Sequence, residues 1–215
     1  MNRRRGIFLG VIVALVLAAA GAAFVLATGR EEHGGTTAGH VHGAAAAGPI
    51  DPVRFIDLMI PHHQMAIAMA RTALARAKDP EIRGVALDVV TGQAFEITAM
   101  WRIRARLAPD EPVHVPTPEE EAEMGMGRDH AALAGAPDVD RAFAELMIPH
   151  HAGALVLADR LLQGTPPADL ARLARGMQAA QGMEIGILER VRRELAAGID
   201  RRHRPATTPV APVTP

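Results

Sequence analysis

The hydrophobic positions of this chain fall into two long stretches with helical spacing, and the second copies the first. Phe55–Ala70 reads FIDLMIPHHQMAIAMA and Phe143–Ala158 reads FAELMIPHHAGALVLA. Nine of the sixteen aligned positions are identical, and the offset is 143 − 55 = 88 residues. With about 100° per residue, Phe55, Met59, His62, His63, Ala66, Met69 and Ala70 fall within an arc of roughly 120°. Asp57, Gln64 and Arg71 lie on the opposite side, which this pattern assigns to solvent. The second copy puts Met147, His150 and His151 on its apolar stripe, with Glu145 opposite.

Each stretch is followed by a second helical pattern. Asp51-Pro52 starts the first helix, expected to run to about Lys78, and Asp79-Pro80-Glu81 starts the second, running to about Leu107. An aspartate before a proline is a strong helix start, because the carboxylate caps free N–H groups and proline needs none. A Pro/Gly-rich connection follows, with a capping-box signature at Thr117, Pro118 and Glu120. A third long helix is expected over 140–163, and a fourth from the GTPPAD turn to about Ala197. The 88-residue offset persists through the second helix of each unit: Gln93 matches Gln181, Glu96 matches Glu184 and Leu107 matches Leu195. The repeat is therefore a whole αα-hairpin. One hairpin cannot bury its apolar faces alone, whereas two pack as a four-helix bundle.

These patterns divide the chain into four parts. Residues 1–28 hold three arginines followed by an uncharged, mostly apolar run, Gly6–Thr28. That run is longer than the usual signal-peptide core and long enough to span a bilayer, which implies a signal anchor with the remainder outside the cytoplasm. If the segment is cleaved, the product is secreted or periplasmic. Residues 29–50 read as a flexible linker carrying His33, His40 and His42. The duplicated bundle occupies 51–197, with repeat 1 at about 51–108, an inter-repeat segment at 109–139 and repeat 2 at about 140–197. The Pro-rich residues 198–215 read as a disordered tail.

Composition narrows the chemistry. The net charge is −1, aromatics are 3% and tyrosine is absent, which gives no basic field or stacking platform for nucleic acid. Cysteine is absent, so thiolate ligands, disulfides and thiol catalysis are excluded and any soft-metal site must use Met sulfur and His nitrogen. No phosphate-binding glycine loop or nucleophile–base motif is present. No feature identifies a protein partner.

The second helices sharpen the picture. Gln93 and Glu96 fall in the middle of the stripe formed by Ile82, Ala86, Val89, Ile97 and Met100, and Gln181 and Glu184 repeat this. The bundle interior is thus expected to hold His62, His63, His150, His151, Glu96, Glu184, Gln93 and Gln181, besides Met59 and Met147. Buried charges need partners. One arrangement is a bundle-core metal site, with copper favoured and zinc or iron also suited to imidazole. The other is metal-free, each glutamate paired with a histidine. Symmetric histidine pairs facing two carboxylates favour metal. Met59 and Met147, Met124 and Met126, and His130 are further candidate donors, although methionine on a helical stripe is commonly core filler. Pro61 and Pro149 stand inside the helices just before both histidine pairs, where proline removes one helical hydrogen bond.

LMIPHH twice, each followed by Q-x-x-E-I, resembles the domain of unknown function 305 family, as does the Met124-Gly125-Met126 segment between the copies. The resemblance covers about Asp51–Leu195. It implies a ferritin-like four-helix bundle, usually exported, with copper binding or copper tolerance in some members and no settled common activity. Met100 and Trp101 match the family pattern after Q-x-x-E, whereas repeat 2 has Leu188 and Glu189. On the second helix of each repeat, Q-x-x-E stands where ferritin-like di-iron sites have E-x-x-H. The expected function is metal binding outside the cytoplasm, for sequestration or delivery. The alternatives are a metal-dependent redox enzyme and a metal-free envelope interaction module.

Overall fold

A computed structural model describes residues 48–127 and 130–201. The proposed anchor at 1–28 and the histidines of the linker lie outside them. Among the described residues, no helix is long and apolar enough to cross a membrane.

The described chain is helical, with no strand. Helix α1 spans Pro52–Arg76 and α2 spans Pro80–Leu107. A short α3, Pro118–Glu123, and a 3₁₀ turn, His130–Gly135, lie between the repeats. Helix α4 spans Val139–Leu162 and α5 spans Ala168–Ala196. The starts follow from local chemistry. The Asp51 carboxylate accepts from the N–H groups of Val53 and Arg54, and Asp79 does the same for Glu81 and Ile82. Thr117 and Glu120 form a reciprocal capping box. Pro61 and Pro149 are accommodated inside continuous helices.

Each hairpin packs α1 on α2 or α4 on α5, and the hairpins meet through α1 against α4 and α2 against α5. The core has two apolar ends. One joins the start of α1 (Phe55, Met59) to the end of α4 (Leu157, Leu161) and the start of α5 (Leu170, Met177). The other joins the end of α1 (Met69, Ala73) to the start of α2 (Ile82, Val85) and the start of α4 (Phe143, Met147). Helices α1 and α4 are therefore antiparallel, related by an approximate two-fold axis across the bundle. Between the two ends, at mid-height, lies a polar layer: the two histidine pairs with Gln93 and Gln181, flanked by Glu96 and Glu184.

Asp57 corrects the helical-wheel expectation. It is buried, not solvated, and receives hydrogen bonds from the Arg104 guanidinium and from the His114 backbone N–H at 2.8 Å. The inter-repeat segment crosses that face of α1 and covers it. Order also reaches beyond the expected bundle limits. Gly48 and Ile50 bond to Arg160 of α4. Arg201, in the segment read as a disordered tail, is buried against Asp79, Glu81 and Glu194. Residues 202–215 lie outside the described residues.

Candidate metal centre

The polar layer is dry. His62, His63, His150 and His151 are each 0% exposed. Helices α1 and α4 bring them together across the repeat interface, where the rings of His62 and His150 touch at a 33° tilt with centroids 3.7 Å apart. His63 Nε2 shares a 2.8 Å hydrogen bond with Glu96 Oε2, and His151 Nε2 lies 2.7 Å from Glu184 Oε2. The second contact is as close as the first, but its alignment falls outside hydrogen-bond geometry, leaving His151 Nε2 without a directed partner. The two acid–imidazole pairs are thus equivalent in position and unequal in quality.

Burial lowers the proton affinity of His62, His63 and His150. His62 and His63 are both pushed down to about 3, chiefly by loss of water and then by neighbouring imidazoles. His150 is held well below its ordinary value for the same reasons. Burial pushes Glu96 up to about 7, partly opposed by nearby His151. The His62, His63 and His150 imidazoles are therefore neutral at physiological pH.

Neutrality fixes one tautomer. His62 Nε2 lies 3.0 Å from the His150 carbonyl oxygen and 3.2 Å from the Met124 carbonyl oxygen. Both are acceptors, so Nε2–H donates and Nδ1 carries a bare lone pair. That Nδ1 has no partner, nor do His63 Nδ1, His151 Nδ1 or either nitrogen of His150. A buried polar atom without a partner costs about 1–3 kcal/mol, so the layer weakens the metal-free bundle. Lone pairs of neutral imidazole are also what a borderline or soft cation binds. Where Glu96 accepts from His63 Nε2–H, it orients that ring and leaves Nδ1 available, the usual carboxylate–histidine–metal relationship.

The remaining candidates are distributed unevenly. Met59, Met124 and Met126 are buried together at one apolar end, whereas Met147 belongs to the other. Met59 and Met147 are therefore not gathered at one point. His130 packs edge-on against His150 at 5.9 Å. Among the described residues, no three His, Asp or Glu side chains already converge on one ion position. The structure presents pairs of donors instead. Sequence reasoning offered Met124 as a further candidate sulfur donor; the contact it makes with the layer is through its carbonyl. That contact depends on two close backbone approaches. Gly125 has φ +74°, and a Cβ there would stand 2.3 Å from the Pro149 oxygen; a Cβ on Gly153 would strike the Met124 backbone. Asp88 was also missed, although its i, i+4, i+8 spacing with Gly92 and Glu96 marks one helix face.

Fold and site define a helical bundle of two repeats with a buried histidine layer at their interface. The chain belongs to the domain of unknown function 305 family (DUF305), whose profile matches residues 52–192. Solved structures similar to it include CopM in its Cu(I)-bound form, at 30% identity and TM-score 0.60, over 68% of this chain and 98% of that one. CopM in its Cu(II)-bound form is similar at 29% identity and TM-score 0.61, over 68% and 99%. A DUF305 fragment from Deinococcus radiodurans matches at 30% identity and TM-score 0.60, again over 68% and 99%. The uncharacterized protein L153 of Acanthamoeba polyphaga mimivirus is 43% identical over 51 residues, 24% of this chain; the match spans about a third of that relative, 34% of its length.

Proposed function

We propose that this chain binds copper outside the cytoplasm, either to sequester it or to hand it to a partner. One observation carries the reading: four fully buried imidazoles, each with an Nδ1 that has no protein partner. His62, His63, His150 and His151 are the ligands, and Glu96 and Glu184 orient the rings of His63 and His151. The thioethers of Met59, Met124 and Met126 lie in the apolar end next to this layer and favour the cuprous ion; Met147 serves the same role from the other end. The copper- and silver-bound states of the similar CopM support this choice of metal. In this reading residues 1–28 anchor the chain in the cell membrane with the bundle outside, and His33, His40 and His42 form an accessory trap.

The test is elemental analysis of the purified chain after equal exposure to Cu, Zn and Fe. Copper is retained, and the His62→Ala/His150→Ala variant loses it. Binding to the native state alone also raises the unfolding free energy, by about 2.7 kcal/mol at a free concentration a hundredfold above Kd. Equal retention by the variant, or unchanged thermal stability with copper, overturns the proposal. The second outcome favours a metal-free interaction module, for which the His63–Glu96 hydrogen bond is the supporting observation.

A further inference from the structure

Helices α2 and α5 leave a gap at mid-height. A cleft of about 280 Å³ opens there, lined by Asp88, Gly92, Gln93, Glu96, Gln181 and Glu184 among others. Its chemistry differs from that of the layer behind it, because every one of its polar side chains offers oxygen. Asp88 is exposed at the mouth. Glu96 and Glu184 form the inner wall, with side chains 15% and 13% exposed, and each contacts a histidine that is itself 0% exposed. Through these two carboxylates the dry layer touches the cleft.

The glutamines are the telling feature. Gln93 and Gln181 are 3% and 2% exposed, and none of their four amide N and O atoms has a protein partner. Leucine would fill the same volume without leaving buried amides unmet. Two such amides, at equivalent positions of both repeats, line an opening next to the acid–imidazole pairs. At about 30 Å³ per water molecule, the cleft has room for an ion with its first water shell.

We propose that the α2–α5 cleft is the receiving site for a hydrated divalent transition cation. Asp88 draws the ion to the mouth, the Gln93 and Gln181 amides and the two glutamates bind it and its waters, and the ion passes from them to His63 and His151. The inference rests on the metal-binding reading above and adds the path. The field at the mouth comes from one repeat only, because the position equivalent to Asp88 is Gly176.

Gly92 provides the test. It lies within α2, and a Cβ there meets nothing within 4 Å, so a larger side chain occupies the cleft without a backbone clash. Two rates are measured on the full chain: Cu(II) uptake by rapid mixing, and carbethoxylation of His63 and His151 by diethylpyrocarbonate in metal-free protein, read by mass spectrometry. In Gly92→Leu both rates fall by about tenfold or more, because reaction must wait for the helices to part, while the final copper content is unchanged. In Asp88→Asn, copper uptake at low salt falls about threefold and depends less on salt, while reaction with the uncharged reagent does not change. Wild-type rates in Gly92→Leu overturn the path, and wild-type uptake in Asp88→Asn overturns the role of that carboxylate even if the leucine variant does not fold. A wild-type chain that takes up no Cu(II) overturns the metal reading and the receiving site with it. Copper bound at equal rates by all three proteins overturns the receiving site alone.

Discussion

The His62 ring lies against the His150 ring, tilted by 33° with 3.7 Å between centroids, and its Nε2–H donates to the carbonyl oxygen of that same residue at 3.0 Å. The two residues are 150 − 62 = 88 positions apart, so each is the other's counterpart in the repeat. This contact between the two repeats is therefore made on the internal symmetry axis. It is also where the symmetry breaks, because only His62 has its Nε2 satisfied, with Met124 of the inter-repeat segment supplying the second acceptor.

This layer makes the metal-free bundle acid-sensitive. The unfolded chain binds protons on histidine near pH 6.5, whereas folded His62 and His63 refuse them until about pH 3, and His150 is shifted in the same direction. Stability from these three is present above pH 6.5 and is lost as pH falls. Glu96 acts in the opposite sense: its folded value near 7 exceeds the unfolded value near 4.5, so it costs stability as pH rises between them. Three imidazoles outweigh one carboxyl. Unfolding free energy measured by urea titration should drop by roughly 3 kcal/mol from pH 6.5 to pH 5. A flat or rising profile would contradict the neutral layer.

Asp57 and Arg104 tie α1 to the end of α2 in a buried pair, with exposures of 3% and 5%. Arg104→Leu leaves a buried carboxylate with only the His114 N–H, and should cost about 3–5 kcal/mol. The double variant Asp57→Asn/Arg104→Leu should recover part of that loss. Equal stability of the single variant and the parent in chemical denaturation would show the pair to be inert.

Arg201 closes the far end of the bundle by bridging Asp79, Glu81 and Glu194. Its removal in Arg201→Ala should destabilise by about 3 kcal/mol, since it leaves the buried Asp79 carboxylate without a cationic partner, while Glu81 keeps Arg190. Arg193→Ala, whose side chain is 66% exposed in an i,i+4 pair, should change stability by less than about 0.5 kcal/mol. Thermal unfolding of the two variants side by side distinguishes a clasp from a loose tail.

Gly125 combines a left-handed backbone with contact against Pro149. Gly125→Ala should lose about 1–2 kcal/mol for backbone handedness alone, and more for the collision with the Pro149 oxygen. It should also shift the Met124 carbonyl and with it the His62 ring, visible as a changed imidazole NMR signal. Gly186→Ala, within α5 and in open space, should instead gain up to about 1 kcal/mol. Equal effects at the two glycines would refute the close approach.

Much of this was readable from residue order. Helix starts announced themselves as Asp-Pro or Thr-Pro-x-Glu, because capping is settled by three or four neighbouring residues. The inward direction of both histidine pairs, Gln93 and Gln181 followed from period alone, since a helix that must bury one stripe buries whatever stands on it. The same reasoning misplaced Asp57. A helical wheel reports angle about one axis and says nothing of a distant segment folding over the polar side.

The sequence by itself determined the duplicated hairpin, its helices and the set of side chains sharing the interior. Those properties are local or periodic, and each repeat states them independently. Only the tertiary structure decided how the set is joined: His62 on His150, His63 and His151 each with the glutamate of its own repeat, Met124 reaching the layer by its carbonyl, and Arg201 turned back into the core. Those outcomes depend on how two antiparallel hairpins settle against one another and on where the connecting segments close over them, and no short window of residues carries that information.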